Sequence, residues 1–360
     1  MRALASSLVF GVWLVAACGD DDASSSSGTG AGATTGAGAG ATTGSGATTG
    51  TGNTSTGSGN TGGGGSGVGG GPPQGTPMLV AVGYGGRRLS SLDGLVWEND
   101  IIVDPNGGDD NNLFRGVGFG DGVFVAVGGG SEGQVATSTD GVSWTFQSPA
   151  TSWIGDVAFL GGVFVAAGGN GLRIRSTDGG VTWTDDQGYY AGHYRGIAAG
   201  NGVFVAAGHT YGGGDQGLIS TTTDGVTWTA EQTGGATFHS ITYGAGAFVA
   251  VGNDRCSVSS DGATWSDCAI SATDLGHVVF GDGLFALRAA EGIFTSADGM
   301  TWQSVAAQQP PQGILGFGAG TWVGASWPGH LFGSADLLGW QTATVDDGPA
   351  IVDVQLGFIE

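Results

Sequence analysis

The sequence predicts an all-β fold, a seven-bladed β-propeller, and three observations support this expectation. A motif of the form Ser/Thr-x-Asp, a short turn and Trp occurs seven times, and its copies are 37 to 47 residues apart. That spacing is typical of four-stranded propeller blades. Each repeat also carries a Gly-x-Gly turn before an apolar strand, and the two ends of the repeat region have complementary parts of one blade. The motifs end at Trp97, Trp144, Trp183, Trp228, Trp265, Trp302 and Trp340.

Residues 1–18 have the pattern of a targeting segment. Arg2 precedes an apolar run that ends at Ala17, which is too short to span a bilayer. The string Val15-Ala16-Ala17-Cys18 resembles the lipobox of bacterial lipoprotein signal peptides, and this resemblance implies that Cys18 becomes the lipidated first residue. The alternative is an ordinary cleaved secretory signal with a chance cysteine.

Residues 19–76 are predicted to be a disordered linker. They consist almost entirely of Gly, Ser, Thr and Ala after an acidic start. Such a segment has too few apolar side chains to offset the entropy cost of folding. We therefore assign residues 77–360 to one propeller domain, held away from a membrane by a flexible tether.

The charge of the chain excludes several partners. The sequence has 9 basic residues, all arginine, against 31 acidic ones, and a net charge of −22. Because such a field repels phosphate backbones and anionic lipids, we expect no nucleic-acid binding, and membrane attachment through the lipid anchor only. We expect a monomer in the cell envelope, lipid-anchored at the outer membrane or the cell surface.

The strands can be placed within each repeat. Runs such as Val123–Val127 and Val163–Ala167 are apolar on both faces, so they must be covered on both faces, as in blades that stack around an axis. Shorter segments rich in small residues precede them and are assigned to the innermost strand A. The apolar runs are strand B, and the Trp motif joins strands C and D.

The two ends of the domain predict how the ring closes. Met78–Gly83 has the character of a strand B without a preceding strand A, while Ile351–Leu356 has that of a strand A with nothing after it. Together they complete one blade, which gives seven blades and leaves no open sheet edge in the shared blade.

The Trp motif resembles the Asp-box, or BNR repeat, of sialidases, related glycoside hydrolases and photosystem II assembly-factor-like propellers. Its best copy is Ser176–Trp183, and the copy at Ser334–Trp340 lacks Gly after Asp. The resemblance implies that the motif is a structural turn and that a ligand site lies on the opposite face. We therefore do not read the seven carboxylates as an acid/base array.

A ligand site is expected where the D–A and B–C connections meet the axial channel. Alignment of the blades places Arg115, Gly155, Arg195, His239, Gly276, Gly313 and Val352 at equivalent positions there. Arginine beside aromatic rings can hold a carboxylate or stack on a sugar. The candidate ligand-binding residues are Arg115, Arg195, His239, Trp153, Tyr194 and Phe238. The alternative is that both arginines pair with nearby acids, namely Asp109, Asp110, Asp156 or Asp186.

Other motifs carry less chemistry. Cys256 and Cys268 fall in register across strands C and D of one blade, so we expect a structural disulfide in an oxidising compartment. The acidic loop 104–112 lacks the spacing of a calcium-binding EF-hand. No metal site and no cofactor are expected.

The sequence favours a non-catalytic binding or scaffolding propeller that recognises a protein, peptide or glycan. The alternative is a sialidase-like glycoside hydrolase, for which Arg115, Arg195 and Arg255 or Arg288 could supply the cations. The sequence shows no Glu beside a Tyr to act with it as a nucleophile pair. No catalytic residue is therefore assigned. A purely structural envelope component is a third possibility.

Overall fold

The protein is described here by a computed structural model that covers residues 75–106, 108, 110–185, 192–210, 216–229 and 232–360. These residues form seven four-stranded antiparallel sheets, so the predicted seven-bladed propeller is confirmed. Cys18 and the linker before residue 75 lie outside the described residues. Within the described ranges, no helix has the length and apolar character needed to cross a membrane.

In blades 2 to 7 the four strands of each blade follow one another in chain order. Blade 1 begins with β1 (Thr76–Gly83), β2 (Arg88–Ser91) and β3 (Glu98–Ile101). Blade 2 has β4 (Phe114–Gly120), β5 (Val123–Gly129), β6 (Gly133–Ser138) and β7 (Thr145–Ala150). Blade 3 has β8 (Ile154–Leu160), β9 (Val163–Gly168), β10 (Arg173–Ser176) and β11 (Thr184–Asp185). Blade 4 has β12 (Gly192–Gly200), β13 (Val203–Thr210), β14 (Gly217–Thr222) and β15 (Gln232–Thr233).

The remaining blades repeat this plan. Blade 5 has β16 (Ser240–Gly244), β17 (Ala247–Gly252), β18 (Arg255–Ser259) and β19 (Ser266–Asp267). Blade 6 has β20 (His277–Gly281), β21 (Leu284–Ala289), β22 (Gly292–Ser296) and β23 (Gln303–Ser304). Blade 7 has β24 (Leu315–Gly318), β25 (Thr321–Ser326), β26 (His330–Ser334) and β27 (Gln341–Thr342), and the last strand is β28 (Ile351–Ile359). Single-turn 3₁₀ helices occur at Tyr84–Gly86, Asp110–Asn112 and Gly169–Gly171.

The last strand closes the ring. β28 pairs antiparallel with β1, with Leu356 opposite Leu79 and Val354 opposite Ala81, so the order in blade 1 is β28-β1-β2-β3. The innermost strand of the first blade therefore comes from the end of the chain. This is the closure that the sequence predicted.

Hydrophobic cores lie between neighbouring blades. The phenylalanine of strand B is fully buried in five blades, as the two-sided apolar runs required, and each such side chain stabilises the fold by about 1.5–3 kcal/mol. These residues are Phe124, Phe164, Phe204, Phe248 and Phe285.

Glycine at the end of strand A lets an aromatic ring of the next blade approach closely. A Cβ atom at Gly120 would lie 2.0 Å from the ring of Phe159, and one at Gly244 would lie 2.0 Å from the ring of Phe280. Because no side chain fits there, these glycines set how tightly the blades pack around the axis.

In all seven Trp-motif turns the Asp carboxylate accepts a backbone N–H group. In five of them the indole N–H donates to a carbonyl oxygen of the turn, whereas the indole nitrogens of Trp144 and Trp228 have no partner among the described residues. In the first turn, Asp93 Oδ1 accepts two backbone N–H groups at 2.8 and 2.9 Å, and Ser91 Oγ accepts that of Gly94 at 2.8 Å. The indole N–H of Trp97 donates to Gly94 O at 3.1 Å. These backbone hydrogen bonds lower the pKa of the Asp93 carboxyl. The carboxylate is thus used to hold the turn.

The turn at residues 334–340 keeps most of this pattern, with Leu337 in place of the glycine that follows the aspartate in the other turns. Leu337 adopts a left-handed conformation with φ of 66°, and its side chain is buried. The indole of Trp340 still donates to Leu337 O at 3.1 Å. Burial of the leucine side chain therefore offsets a backbone conformation that normally favours glycine.

A disulfide joins strands C and D of blade 5. Cys256 and Cys268 have Cα atoms 5.3 Å apart, and the flanking pairs Ser257–Asp267 and Val258–Ser266 place them in the same register. The disulfide therefore connects the end of the short outer strand β19, which Cys268 directly follows, to β18.

Candidate functional site

The site begins with irregularities in strand A. In β4, β8, β12 and β28 the register with strand B shifts by one residue, so that one residue is left unpaired. The unpaired residues are Arg115, Gly155, Arg195 and Val352. Bulges of this kind redirect a side chain. Here they lie at the end of the ring where the D–A and B–C connections run, which we call the mouth rim.

The other three blades place a residue at the same point by a hydrogen bond. The backbone N–H groups of His239, Gly276 and Gly313 donate to strand B carbonyls at 2.8, 2.9 and 2.7 Å. The seven positions that the sequence alignment made equivalent are therefore equivalent in the fold.

Trp153 lies between two arginines from the neighbouring blades. The guanidinium carbon of Arg115 is 5.1 Å from the indole ring centre, and that of Arg195 is 5.3 Å from it. Each cation–π contact is worth about 0.5–1 kcal/mol at an exposed site and more where water is excluded. Three consecutive blades thus hold two positive charges against one half-buried aromatic ring.

The charge of Arg115 is only partly neutralised. Its Nη2 lies 3.7 Å from Asp110 Oδ2, and the Asp110 carboxylate is mostly exposed to solvent. The buried Nε has no hydrogen-bond partner among the described residues. Of the acids that could pair with the arginines, Asp110 lies near Arg115. Asp109 and Asp186 lie outside the described residues.

Histidines extend this arrangement. The pKa of His239 is lowered, because its ring is partly desolvated and the Arg195 guanidinium repels the protonated form. His239 is therefore neutral at pH 7. The His193 ring is 5.2 Å from that of Trp153 and 5.3 Å from that of His209. We call Arg115, Trp153, Arg195 and His239 the mouth cluster.

Two of the candidate ligand-binding residues are in the wrong place to contact a ligand. Tyr194 is 0% exposed and Phe238 is 1% exposed. Both precede the rim position, where Phe114, Ile154 and Leu275 are also buried. Side chains at this position point between the blades, so Tyr194 and Phe238 are core residues. The recurrence of apolar residues at this position in the sequence could have indicated this.

Two buried carboxyl groups near the axis were not assigned to the site from the sequence. Asp353 Oδ2 accepts the N–H of Val117 at 2.9 Å, and Asp156 Oδ2 accepts the N–H of Ile197 at 3.0 Å. Each carboxyl group therefore bonds to strand A of the next blade. Their other oxygens accept N–H groups of the following residues, at 2.8 and 2.7 Å.

Burial changes the acidity of this pair. It raises the pKa of Asp353 to about 7, and it raises that of Asp156 well above the ordinary value, with a further contribution from the negative charge of Asp353. A histidine performs a similar bridging role in blade 6, where His277 Nδ1 accepts the N–H of Leu315 at 3.4 Å. Burial lowers the pKa of His277 to about 4.

The described residues contain no group of three or more His, Cys, Asp or Glu side chains arranged to hold a metal ion. In the acidic loop, Asp104 Oδ1 accepts the backbone N–H of Asn106 at 3.0 Å, as in an ordinary turn.

The chain matches no protein-family model and no curated protein. Among solved structures, it is similar to YCF48 bound to a D1 peptide, with 20% identity over 68% of this chain and 91% of that chain, and a TM-score of 0.49. It is similar to YCF48 from Cyanidioschyzon merolae, with 15% identity, 70% and 97% coverage and a TM-score of 0.49. It is also similar to the GH74 enzyme of Niastella koreensis, with 14% identity, 75% and 43% coverage and a TM-score of 0.42. These likenesses concern the fold.

Proposed function

We propose that this chain is a non-catalytic binding or scaffolding propeller that recognises an acidic protein, peptide or glycan at its mouth cluster. The observation that carries this proposal is the placement of Trp153 between Arg115 and Arg195. The chain has a net charge of −22, and here two separate blades hold arginines against one indole ring. They form a positive site within an otherwise acidic protein.

The geometry of the cluster defines the chemistry of its ligand. A guanidinium group offers a fork of N–H donors that fits a carboxylate, and the face of an indole accepts a sugar ring or an apolar side chain. Because the two arginines flank one ring, a ligand that combines an acidic group with a flat or apolar neighbour fits best. The exposed neutral His239 can add a hydrogen bond.

The second candidate function is a sialidase-like glycoside hydrolase. The observation that favours it is the pair Asp156 and Asp353, since a carboxyl group with a raised pKa is suited to general acid catalysis. Against it, all four oxygens of the pair accept backbone N–H groups. A general acid needs one oxygen that donates its proton to a leaving group. The pair is better explained as a link between blades.

The proposed location in the cell rests on residues 1–18, which lie outside the described residues. We propose that the chain is exported and lipid-anchored through Cys18 in the cell envelope, and that it is a monomer. Metabolic labelling with a palmitate analogue tests this directly. Label should appear in the full-length chain and disappear in Cys18→Ser, whereas labelling of that variant would contradict the assignment.

One screen separates the two functions. The mature chain is applied to glycan and peptide arrays, and in parallel it is assayed with chromogenic glycosides. We expect binding to acidic ligands without turnover. Glycoside turnover that is lost in Asp156→Asn, with the fold retained by circular dichroism, would replace the binding proposal with the hydrolase.

A further inference from the structure

A cleft lies where blade 1 meets blade 2. Its volume is about 390 Å³, which is within the range of small-molecule sites. Its lining includes Arg88, Phe114, Gln134, Phe146 and Ser148, and neither Arg115 nor Trp153 contributes to it.

Arg88 is a buried cation in this cleft. It is only 5% exposed, and burial lowers its pKa. Its Nη1 donates to Gly86 O at 2.6 Å, while the buried Nε has no hydrogen-bond partner in the part of the chain that the structure describes. No described carboxylate forms an ion pair with it. A buried charge without a counter-charge is costly for a fold.

The preceding residue shows how this chain satisfies a structural arginine. Arg87 forms an ion pair with Asp100 at 2.7 Å and donates to the carbonyl oxygens of Pro349 and Asp346 at 2.7 Å each. All of these contacts are internal to the fold. Arg88 is buried to a similar extent and lines the cleft but lacks these partners, so its terminal nitrogens, and not the covered Nε, are the donors that would face a molecule in the cleft.

Two phenylalanine rings of the cleft lie close to Arg88. Its guanidinium carbon lies 4.9 Å from the ring centre of Phe146 and 5.9 Å from that of Phe114. Phe146 is 51% exposed, and Val103, which also lines the cleft, is 58% exposed. The cleft therefore combines one buried positive charge with an accessible hydrophobic rim.

We propose that this cleft binds a small organic carboxylate with a flat apolar body. The carboxylate would accept hydrogen bonds from Arg88, which supplies the missing counter-charge. The apolar body would lie against Phe146 and Val103, with Gln134 and Ser148 as polar neighbours. A charged group alone would bind weakly, because burial of apolar surface against the rim contributes much of the binding free energy.

Benzoate, benzamide and inorganic phosphate test this proposal by titration calorimetry and thermal shift. Benzoate should bind and raise the melting temperature, whereas benzamide, which has the same shape without the charge, should bind at least tenfold more weakly. Phosphate should be equally weak, since it lacks the apolar body. Equal affinity for benzamide or phosphate, or no benzoate binding at all, would overturn the proposal.

Two variants locate the site. Arg88→Met should weaken benzoate binding at least tenfold, and Ser148→Trp, which fills the cleft from its exposed rim, should abolish binding without removing a core side chain. Benzoate binding that is lost in Arg115→Gln and kept in Arg88→Met would place the ligand at the mouth cluster and would contradict this cleft as its site, without touching the proposed function. If Arg88→Met does not fold, the benzoate affinity of Ser148→Trp tests the location of the site. Unchanged benzoate affinity in Ser148→Trp would contradict the location.

Discussion

At the residue scale, aspartate has two opposite roles in this protein. In the Trp-motif turns it stays exposed and ionised, and hydrogen bonds lower the pKa of Asp140 and Asp261 to about 2. Near the axis, burial raises the pKa of Asp353 to about 7. The same side chain therefore stabilises turns through its charge and links blades where its charge is disfavoured.

The raised pKa predicts a pH dependence of stability. A carboxyl group whose pKa is higher in the folded state contributes stability that is fully present below its unfolded value and is lost as pH rises through the folded value. We expect the melting temperature of the wild type, relative to Asp353→Asn, to fall by several degrees between pH 5 and pH 8. The wild type is compared with Asp353→Asn because burial lowers the pKa of His277 to about 4. Its contribution to stability therefore rises with pH over part of this range, opposite to that of Asp353, and the comparison removes it. Parallel curves would contradict the assignment.

The sequence predicted some of these residues and missed others for clear physical reasons. Arg115, Trp153, Arg195 and His239 could be placed together because the repeat defines equivalent positions. Asp156 and Asp353 were not recognised as a pair, since they are 197 residues apart and belong to different blades. Tyr194 and Phe238 were assigned to the site because the sequence does not show which way a side chain points beside a bulge.

At the scale of elements, the close packing of strand A against the next blade depends on glycine. A methyl group at Gly120 would collide with the Phe159 ring of the next blade. The predicted strands and their order were correct because the apolar runs and turns repeat. The bulges in four of the seven blades were not predictable, because they change register without a distinctive residue type.

Gly120→Ala should destabilise the fold by about 1–3 kcal/mol, which is the usual cost of overpacking a well-packed interior. Urea unfolding followed by Trp fluorescence measures this. Gly339→Ala is the matched control, because no atom lies within 4 Å of a Cβ built there. A loss of the same size in both variants would show that backbone flexibility, and not the Phe159 contact, sets the effect.

At the scale of the whole molecule, the ring is held closed by its last strand. β28 supplies the innermost strand of blade 1 and, through Asp353, a link to blade 2. The sequence predicted this closure because the two ends of the repeat region carry complementary parts of one blade, three strands at the start and one at the end. Because blades 2 to 5 carry the mouth cluster, its geometry depends on a closed ring.

Removal of residues 350–360 should therefore open the ring. We expect the truncated chain to lose its cooperative thermal transition, since β1 would then expose an unpaired edge. Addition of a peptide with the sequence of residues 350–360 should partly restore the transition. A truncated chain with the melting temperature of the wild type would show that closure does not depend on β28.

The most direct test of the account is the affinity of an acidic ligand, selected on the arrays, for Arg115→Gln and Arg195→Gln. Each variant should weaken binding about 10- to 100-fold, as expected for the loss of a hydrogen bond to a charged group. Arg175→Gln is the control, because it removes the same charge beside the Trp-motif turn on the opposite rim. Equal affinity in all three variants would contradict the mouth cluster as the binding site.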